Sequence, residues 1–277
     1  HPATLLQDAQ RHGVGVHPID VRHSDWRCTW EDTPGSIGRH GGRRAAGSIR
    51  LGLRYIRGLS GAAGQSIVDA RRERPFTSAE DLAARCQLVA KDLQRLAHSG
   101  ALQGFGLTRR QALWQVARLS RPAGPLFDDE PPRDRSPLPE MSPLEETVAD
   151  FQTSGMTPGP HPIAYARANL AARGVTPNGD LPKIRAGTRV RFAGSVIVRQ
   201  RPGTAKGMLF VTLEDETGMA QALVTPDLLQ DHKQVIVSSP GLVIEGILQK
   251  KDGSLSIKAE QFWPIERLQE TPSHDFR

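Results

Sequence analysis

Basic side chains that could bind phosphate groups concentrate in two parts of this sequence. One part has no acidic residue among its cations: Lys183, Arg185, Arg189, Arg191, Arg199, Arg201 and Lys206. In the other part, arginines accompany glycines in two segments, 56–60 and 102–113. Arginine and lysine attract a polyanionic backbone, and glycine lets main-chain N–H groups approach it closely. The residue types therefore predict anion binding at two places.

The segment 102–113 is typical of a helix-hairpin-helix unit, and a predicted helix, 91–98, runs into it. Its glycines allow a tight hairpin whose N–H groups face a phosphate. A threonine with a glutamine three residues later is predicted to cap the next helix, whose positive N-terminus favours an anion. Such contacts bind the backbone without reading sequence. We therefore predict contacts to duplex DNA from Gly104, Gly106, Thr108, Arg109 and Arg110.

The segment 56–60 is a less complete copy of the same unit, followed by a second predicted helix. It adds Arg57 and Gly58 to the predicted duplex contacts. The alternative for both copies is that the glycines only end helices, which is a common role for glycine.

Residues 190–260 show the strand pattern of a small barrel. Val190 and Phe192 alternate with Arg189 and Arg191, which is the period of a strand with one buried face. Further strands and a helix follow, with an Asp-Gly turn between the last two strands: 208–213, 219–224, the helix 226–234, 242–249 and 255–259. Three strands, a helix and two strands is the order of an OB-fold, whose usual ligand is a single-stranded nucleic acid.

Two predicted loops of this barrel carry cations, 199–207 and 250–253. Phe210 lies on the strand face opposite Leu209 and Val211, so it could stack on a base if those two residues face the core. We predict single-strand contacts from Arg189, Arg191, Arg199, Arg201, Lys206, Phe210, Lys250 and Lys251. The alternatives are a buried Phe210 and a basic face that binds no ligand.

Composition supports a polyanionic partner, since the net charge is +6 and the isoelectric point is about 9.7. Cys28 and Cys86 fit neither a zinc site nor a disulfide framework, so we expect a reducing, cytoplasmic location. The acidic run 214–216 falls in a predicted turn, and the spacing of His12, His17 and His23 fits no common metal site. We therefore expect no catalytic centre, metal or cofactor in this chain.

The predicted fold class is multidomain α + β, a helical helix-hairpin-helix region followed by a five-stranded OB-fold barrel. The chain begins at His1 in mid-pattern without a methionine, which we interpret as an N-terminal truncation. The predicted parts are the end of a preceding fingers-like domain with a mobile loop, 1–50; the tandem helix-hairpin-helix region, 51–119; a Pro-rich acidic linker, 120–141; a helical connector, 142–182; the OB-fold, 183–268; and a tail, 269–277.

Several motifs resemble the C-terminal part of C-family bacterial DNA polymerases, of the polymerase III alpha-subunit type. The resemblance is closest to the error-prone, ImuC-type branch. The two most specific motifs are VRQRPGTAKG at 198–207 and LEDETG at 213–218. The others, in chain order, lie at 1–4, 8–14, 24–26, 51–59, 99–102, 141–145, 159–162 and 274–277.

The resemblance implies a parent DNA-directed DNA polymerase in translesion synthesis, with Mg²⁺ at a catalytic centre that these motifs do not include. It also implies ImuB-like and ImuA-like accessory partners and, through them, the sliding clamp. Leu126 and Phe127 resemble the end of a clamp-binding peptide, but Ala123 stands where such peptides carry glutamine. The resemblance leaves two other interpretations of the barrel open: a docking module for accessory proteins, and an RNA-binding appendage like that of aspartyl- and lysyl-type tRNA synthetases.

Overall fold

The computed structural model describes residues 2–32, 47–119, 139–205, 207–251 and 253–265, and the chain forms two compact units, His1–Pro158 and Gly159–Arg277. The division falls inside the predicted connector 142–182, which therefore does not form one part. Residues 143–154 belong with the first unit because their helix is anchored there by ion pairs, and Met156 joins that unit's core.

The first unit combines helices with a small sheet. The sheet has the order β1-β3-β2, with β1 parallel and β2 antiparallel to β3. Within the described residues its elements are α1 Pro2–Arg11, β1 Gly15–His17, β2 Thr29–Asp32, β3 Gly47–Arg50, α2 Gly61–Glu73, α3 Ala79–Cys86, α4 Ala90–His98, α5 Arg109–Leu119 and α6 Pro143–Ser154.

The prediction that residues 1–50 end a separate domain is wrong for the described part of that range. Leu6, Ile19 and Val21 are buried in the same hydrophobic core as the residues of α2 to α5. A shared core makes these elements one folding unit. The predicted mobile loop, of which residues 38–47 are rich in glycine and arginine, lies outside the described residues except at Gly47. Residues 120–138 of the linker, with Leu126 and Phe127, and the tail also lie outside them.

The second unit is built on a closed five-stranded barrel, as predicted. The barrel order is β4-β5-β6-β8-β7. The predicted helix over 226–234 is two short helices in the structure. The elements in this part of the chain are α7 Arg167–Ala172, β4 Arg189–Gln200, β5 Leu209–Glu214, β6 Met219–Val224, α8 Pro226–Asp231, α9 Lys233–Ser238, β7 Gly241–Lys251 and β8 Ser254–Pro264.

The barrel core follows from the alternation of its strands. Leu209, Val211 and Leu213 are buried inside, which is the condition under which Phe210 faces outward. The acidic run after β5 is structural: Asp215 is fully buried and accepts hydrogen bonds from Thr217 N (2.8 Å) and Gly218 N (3.0 Å). Its second oxygen accepts from Arg167 and from the N–H of Asn178.

Candidate nucleic-acid interface

The first hairpin, residues 56–60, presents the N-terminus of α2 to solvent. Gly58 has a positive φ of 79°, which reverses the chain, and the Ser60 side chain caps α2 by accepting from Ala63 N (3.1 Å). The N–H groups of Gly61 and Ala62 bind no described residue, and both residues are exposed. These two N–H groups at a helix N-terminus are suited to an anion.

Trp26 supports this end of α2, and sequence reasoning did not single it out as a functional residue. A side chain at Gly64 would approach the Trp26 ring to 2.4 Å, so the indole packs directly on the helix backbone. The signal was available, because α2 begins with glycines spaced three residues apart, at 61 and 64. Such spacing places both on one helix face.

Arg57 belongs to this hairpin and is exposed. Its main-chain N–H donates to Thr153 O at 2.8 Å, and its guanidinium Nη1 donates to Gln152 O at 3.1 Å. Both acceptors are carbonyls, which carry no net charge. The guanidinium is therefore oriented but keeps its positive charge.

The second hairpin, residues 99–110 including the first two residues of α5, has the predicted cap but a different environment. Thr108 N donates to Gln111 Oε1 (2.8 Å), and Gln111 N donates to Thr108 Oγ1 (3.3 Å), so the predicted cap of α5 is confirmed. Gly106 has a φ of +78° and faces open space. A Cβ at Gly104 would lie 2.4 Å from Arg22 Nε and 2.6 Å from an Asp20 carboxylate oxygen, so the side chains of an Arg22–Asp20 ion pair already occupy that side of Gly104.

Arg109 and Arg110, which we predict to supply charge to a phosphate, both form ion pairs in the structure. Arg109 is only 5% exposed; it is bound by Asp150 and Glu146 and donates to His98 O (3.1 Å). Arg110 pairs with Glu145 (3.0 Å). The carboxylates lie on α6, so the charge of this hairpin is neutralised within its own unit.

The pKa values of the two glutamates that bind these arginines are shifted in opposite directions. Burial raises the pKa of Glu146, although Arg109 opposes the shift. Hydrogen bonds from Ser142, with the Arg110 guanidinium nearby, hold the pKa of Glu145 below its ordinary value.

Three of the barrel arginines predicted to bind a strand are engaged inside the unit. Arg199 lies in β4 rather than in a loop, is 7% exposed, and donates to Ile236 O (2.7 Å) and Ser239 O (2.6 Å). Arg191 pairs with Glu245 (2.6 Å), and Arg189 pairs with Glu245 and Glu260. These pairs hold the pKa of Glu245 below its ordinary value. These contacts engage all three side chains within the unit, and their binding to a strand stays a prediction.

The remaining predicted cations differ in availability. Arg201 is exposed in the loop after β4 and forms no ion pair with a described residue. Lys250 and Lys251 lie in β7 rather than in the turn, because the hairpin reverses only at Gly253 (φ +76°). Lys250 donates to Pro182 O (2.6 Å), whereas Lys251 is exposed; Lys206 lies outside the described residues.

One outward row of side chains crosses four strands of the barrel. Phe210 is half-buried on the outer face of β5 and is paired in register with Gln200 of β4 and Leu223 of β6. Leu223 is paired in turn with Lys258 of β8, which is exposed. The row therefore places an amide, an aromatic ring, an aliphatic side chain and a cation side by side. This arrangement suits a stacked base with a phosphate beside it. Sequence reasoning found Phe210 but missed the other three, because strand register is not visible in one strand alone.

The described residues contain no group of three or more His, Cys, Asp or Glu side chains placed to hold a metal ion. Among the helices described here, none is long and apolar enough to cross a membrane.

Two protein-family models match separate parts of the chain. Residues 13–112 match the family model described as a helix-hairpin-helix motif, and residues 190–265 match that of the OB-fold nucleic acid binding domain. The asparaginyl-tRNA synthetase structure from Pyrococcus horikoshii is 23% identical over 33% of this chain and 23% of that chain, with a TM-score of 0.29.

Curated relatives match over nearly the whole chain. A protein named error-prone DNA polymerase from Pseudomonas syringae pv. syringae is 41% identical over 96% of this chain and 25% of its own length. One of the same name from Methylococcus capsulatus is 41% identical over 93% of this chain and 26% of its own length. The chain thus joins a helix-hairpin-helix region to an OB-fold nucleic acid binding domain. Nearly all of its residues align with proteins named error-prone DNA polymerase, and the chain spans about a quarter of the length of those proteins.

Proposed function

We propose that this chain is the DNA-binding region of an error-prone translesion DNA polymerase. The observation that carries the proposal is 41% identity to such polymerases over 96% of the chain, together with two surfaces suited to nucleic acid. The parent protein would be a DNA-directed DNA polymerase using Mg²⁺, whose catalytic centre we assign to no residue described here. ImuB-like and ImuA-like proteins, and through them the sliding clamp, are its proposed partners in the cytoplasm.

Duplex DNA is the proposed ligand of the first hairpin. Its exposed N–H groups and the uncompensated charge of Arg57 support phosphate binding. The second hairpin supports it less well, since Arg109 and Arg110 already bind carboxylates.

The test is duplex binding by Arg57→Ala and Arg110→Ala, which remove the same formal charge. We expect Arg57→Ala to weaken binding of a labelled duplex by roughly fivefold and to make the salt dependence shallower by about one counterion. Arg110→Ala should change affinity by less than about twofold, because its charge is paired. Fluorescence anisotropy across a salt series measures both. Equal losses in the two variants would contradict the assignment of the duplex site to the first hairpin.

Single-stranded template is the proposed ligand of the outward row on the barrel. Phe210 would stack on a base, while Arg201 and Lys258 would bind phosphates beside it.

Replacing Phe210 by alanine tests this second surface. A stacked base contributes about 1–3 kcal/mol, so we expect a loss of roughly 5- to 100-fold in affinity for a labelled single strand. Arg201→Ala should also weaken binding, whereas Arg189→Ala, with the same charge change at an ion-paired residue, should have a smaller effect. Phe210→Ala could instead leave the affinity for the single strand unchanged and abolish binding to an ImuB-like partner. That result would favour a barrel that docks a protein.

A further inference from the structure

Helix α6 binds arginines of both hairpins. Its carboxylates, Glu145, Glu146 and Asp150, bind the second hairpin's arginines, and its C-terminal carbonyls bind Arg57 of the first hairpin. One helix therefore connects a hairpin whose charge is neutralised to a hairpin whose charge is retained.

The C-terminus of α6 forms a seat for Arg57. Gly155 ends the helix in the left-handed region (φ +76°), and its N–H donates to Phe151 O at 3.0 Å. The final carbonyls of a helix have no partner within it, and those of Gln152 and Thr153 accept from Arg57 instead. A Cβ at Gly155 would lie 3.0 Å from Arg57 Nη2, so the guanidinium rests against this glycine. The negative end of the helix dipole favours a cation there.

Asp150 fixes the position of this seat. One carboxylate oxygen binds Arg109, and the other accepts from Thr157 Oγ1 at 2.6 Å. Both Asp150 and Arg109 are buried. Because Asp150 lies less than one turn before Thr153, its ion pair sets where the last turn of α6 meets Arg57.

We propose that Asp150 and Arg109 are positioning residues for duplex binding: they hold α6 so that its C-terminal carbonyls orient Arg57 beside the first hairpin. This inference rests on the proposed role of the first hairpin. The alternative is that the α6 carboxylates compete with DNA for the second hairpin's arginines. The two hypotheses predict opposite changes in DNA affinity, since removing a competing carboxylate tightens DNA binding and removing an anchor weakens it.

The test compares Asp150→Asn with Glu145→Gln in the full chain, each alone and combined with Arg57→Ala. Both substitutions remove one negative charge from α6, and glutamine at 145 keeps the capping box with Ser142. We expect Asp150→Asn to weaken binding of a labelled duplex by roughly threefold to tenfold. Glu145→Gln should leave affinity unchanged or slightly higher. Asp150→Asn should cause no further loss in the Arg57→Ala background, because its effect passes through Arg57.

Tighter duplex binding by Asp150→Asn would overturn the proposal in favour of competition. Losses that add fully in the double variant would overturn it as well, since they would show an effect independent of Arg57. If Arg57→Ala weakens binding and Asp150→Asn does not, this inference alone fails; if Arg57→Ala has no effect, the duplex role of the first hairpin fails with it.

Circular dichroism melting of each variant checks that it folds. Should Asp150→Asn unfold, Thr157→Val removes the side-chain hydrogen bond to Asp150 and should give a smaller loss, again absent without Arg57.

Discussion

The two hairpins of the first unit contain similar residues but bind their arginines differently. Arg57 of the first hairpin donates to two main-chain carbonyls, whereas Arg109 and Arg110 of the second bind three carboxylates of α6. A carbonyl orients a guanidinium without neutralising it; a carboxylate does both. An arginine beside a glycine hairpin therefore indicates phosphate binding only when its partner is uncharged.

Two arginines of the barrel differ instead in their exposure to solvent. Arg199 belongs to β4 and is buried against two carbonyls, while Arg201 follows the strand and is exposed. Burial makes Arg199 inaccessible although its partners are uncharged. Availability for a ligand thus requires both an exposed guanidinium and an uncompensated charge.

The largest expected effect is on stability and comes from the second hairpin. Arg109→Ala would leave Asp150 buried without its cation, which typically costs about 3–5 kcal/mol. Arg57→Ala removes one exposed side-chain hydrogen bond and should cost about 1 kcal/mol or less. Urea unfolding of the two variants measures the difference. Similar losses would mean that the ion pairs of the second hairpin contribute no more than the carbonyl contacts of the first.

Two glycines give a smaller and sharper comparison. Gly58 and Gly106 both have positive φ angles, 79° and 78°, so alanine should cost each about 1–2 kcal/mol of stability. A Cβ at Gly58 would also press on Arg95 at 2.7 Å, whereas one at Gly106 meets open space. We expect only Gly58→Ala to weaken duplex binding, by roughly threefold or more, because it distorts the hairpin that retains its charge. Anisotropy and urea unfolding on the same samples separate the two effects.

Sequence predicted the local elements well because their causes are local. The cap of α5 by Thr108 and Gln111 depends on residues three positions apart. The alternation that leaves Phe210 on the face opposite Leu209 has a period of two residues. The ion pairs of Arg109 could not be predicted, since Asp150 is 41 residues away in the chain. The outward row on the barrel was missed for the same reason, because Leu223 and Lys258 meet only through the β6–β8 pairing.

The smallest expected effect is a difference in pH dependence between two adjacent residues of α6. The pKa of Glu145 is lowered, so its stabilisation is present above its ordinary value and is lost as the pH falls through the lowered one. The pKa of Glu146 is raised by burial, so its contribution is full below the ordinary value and is lost as the pH rises through the raised one. Relative to wild type, Glu145→Gln should therefore be most destabilising at neutral pH, and Glu146→Gln should become relatively more destabilising toward acid. Urea unfolding from neutral pH down to about pH 4 gives both slopes. Slopes of the same sign would show that burial does not outweigh the Arg109 charge at Glu146, and that the second hairpin binds α6 by charge alone.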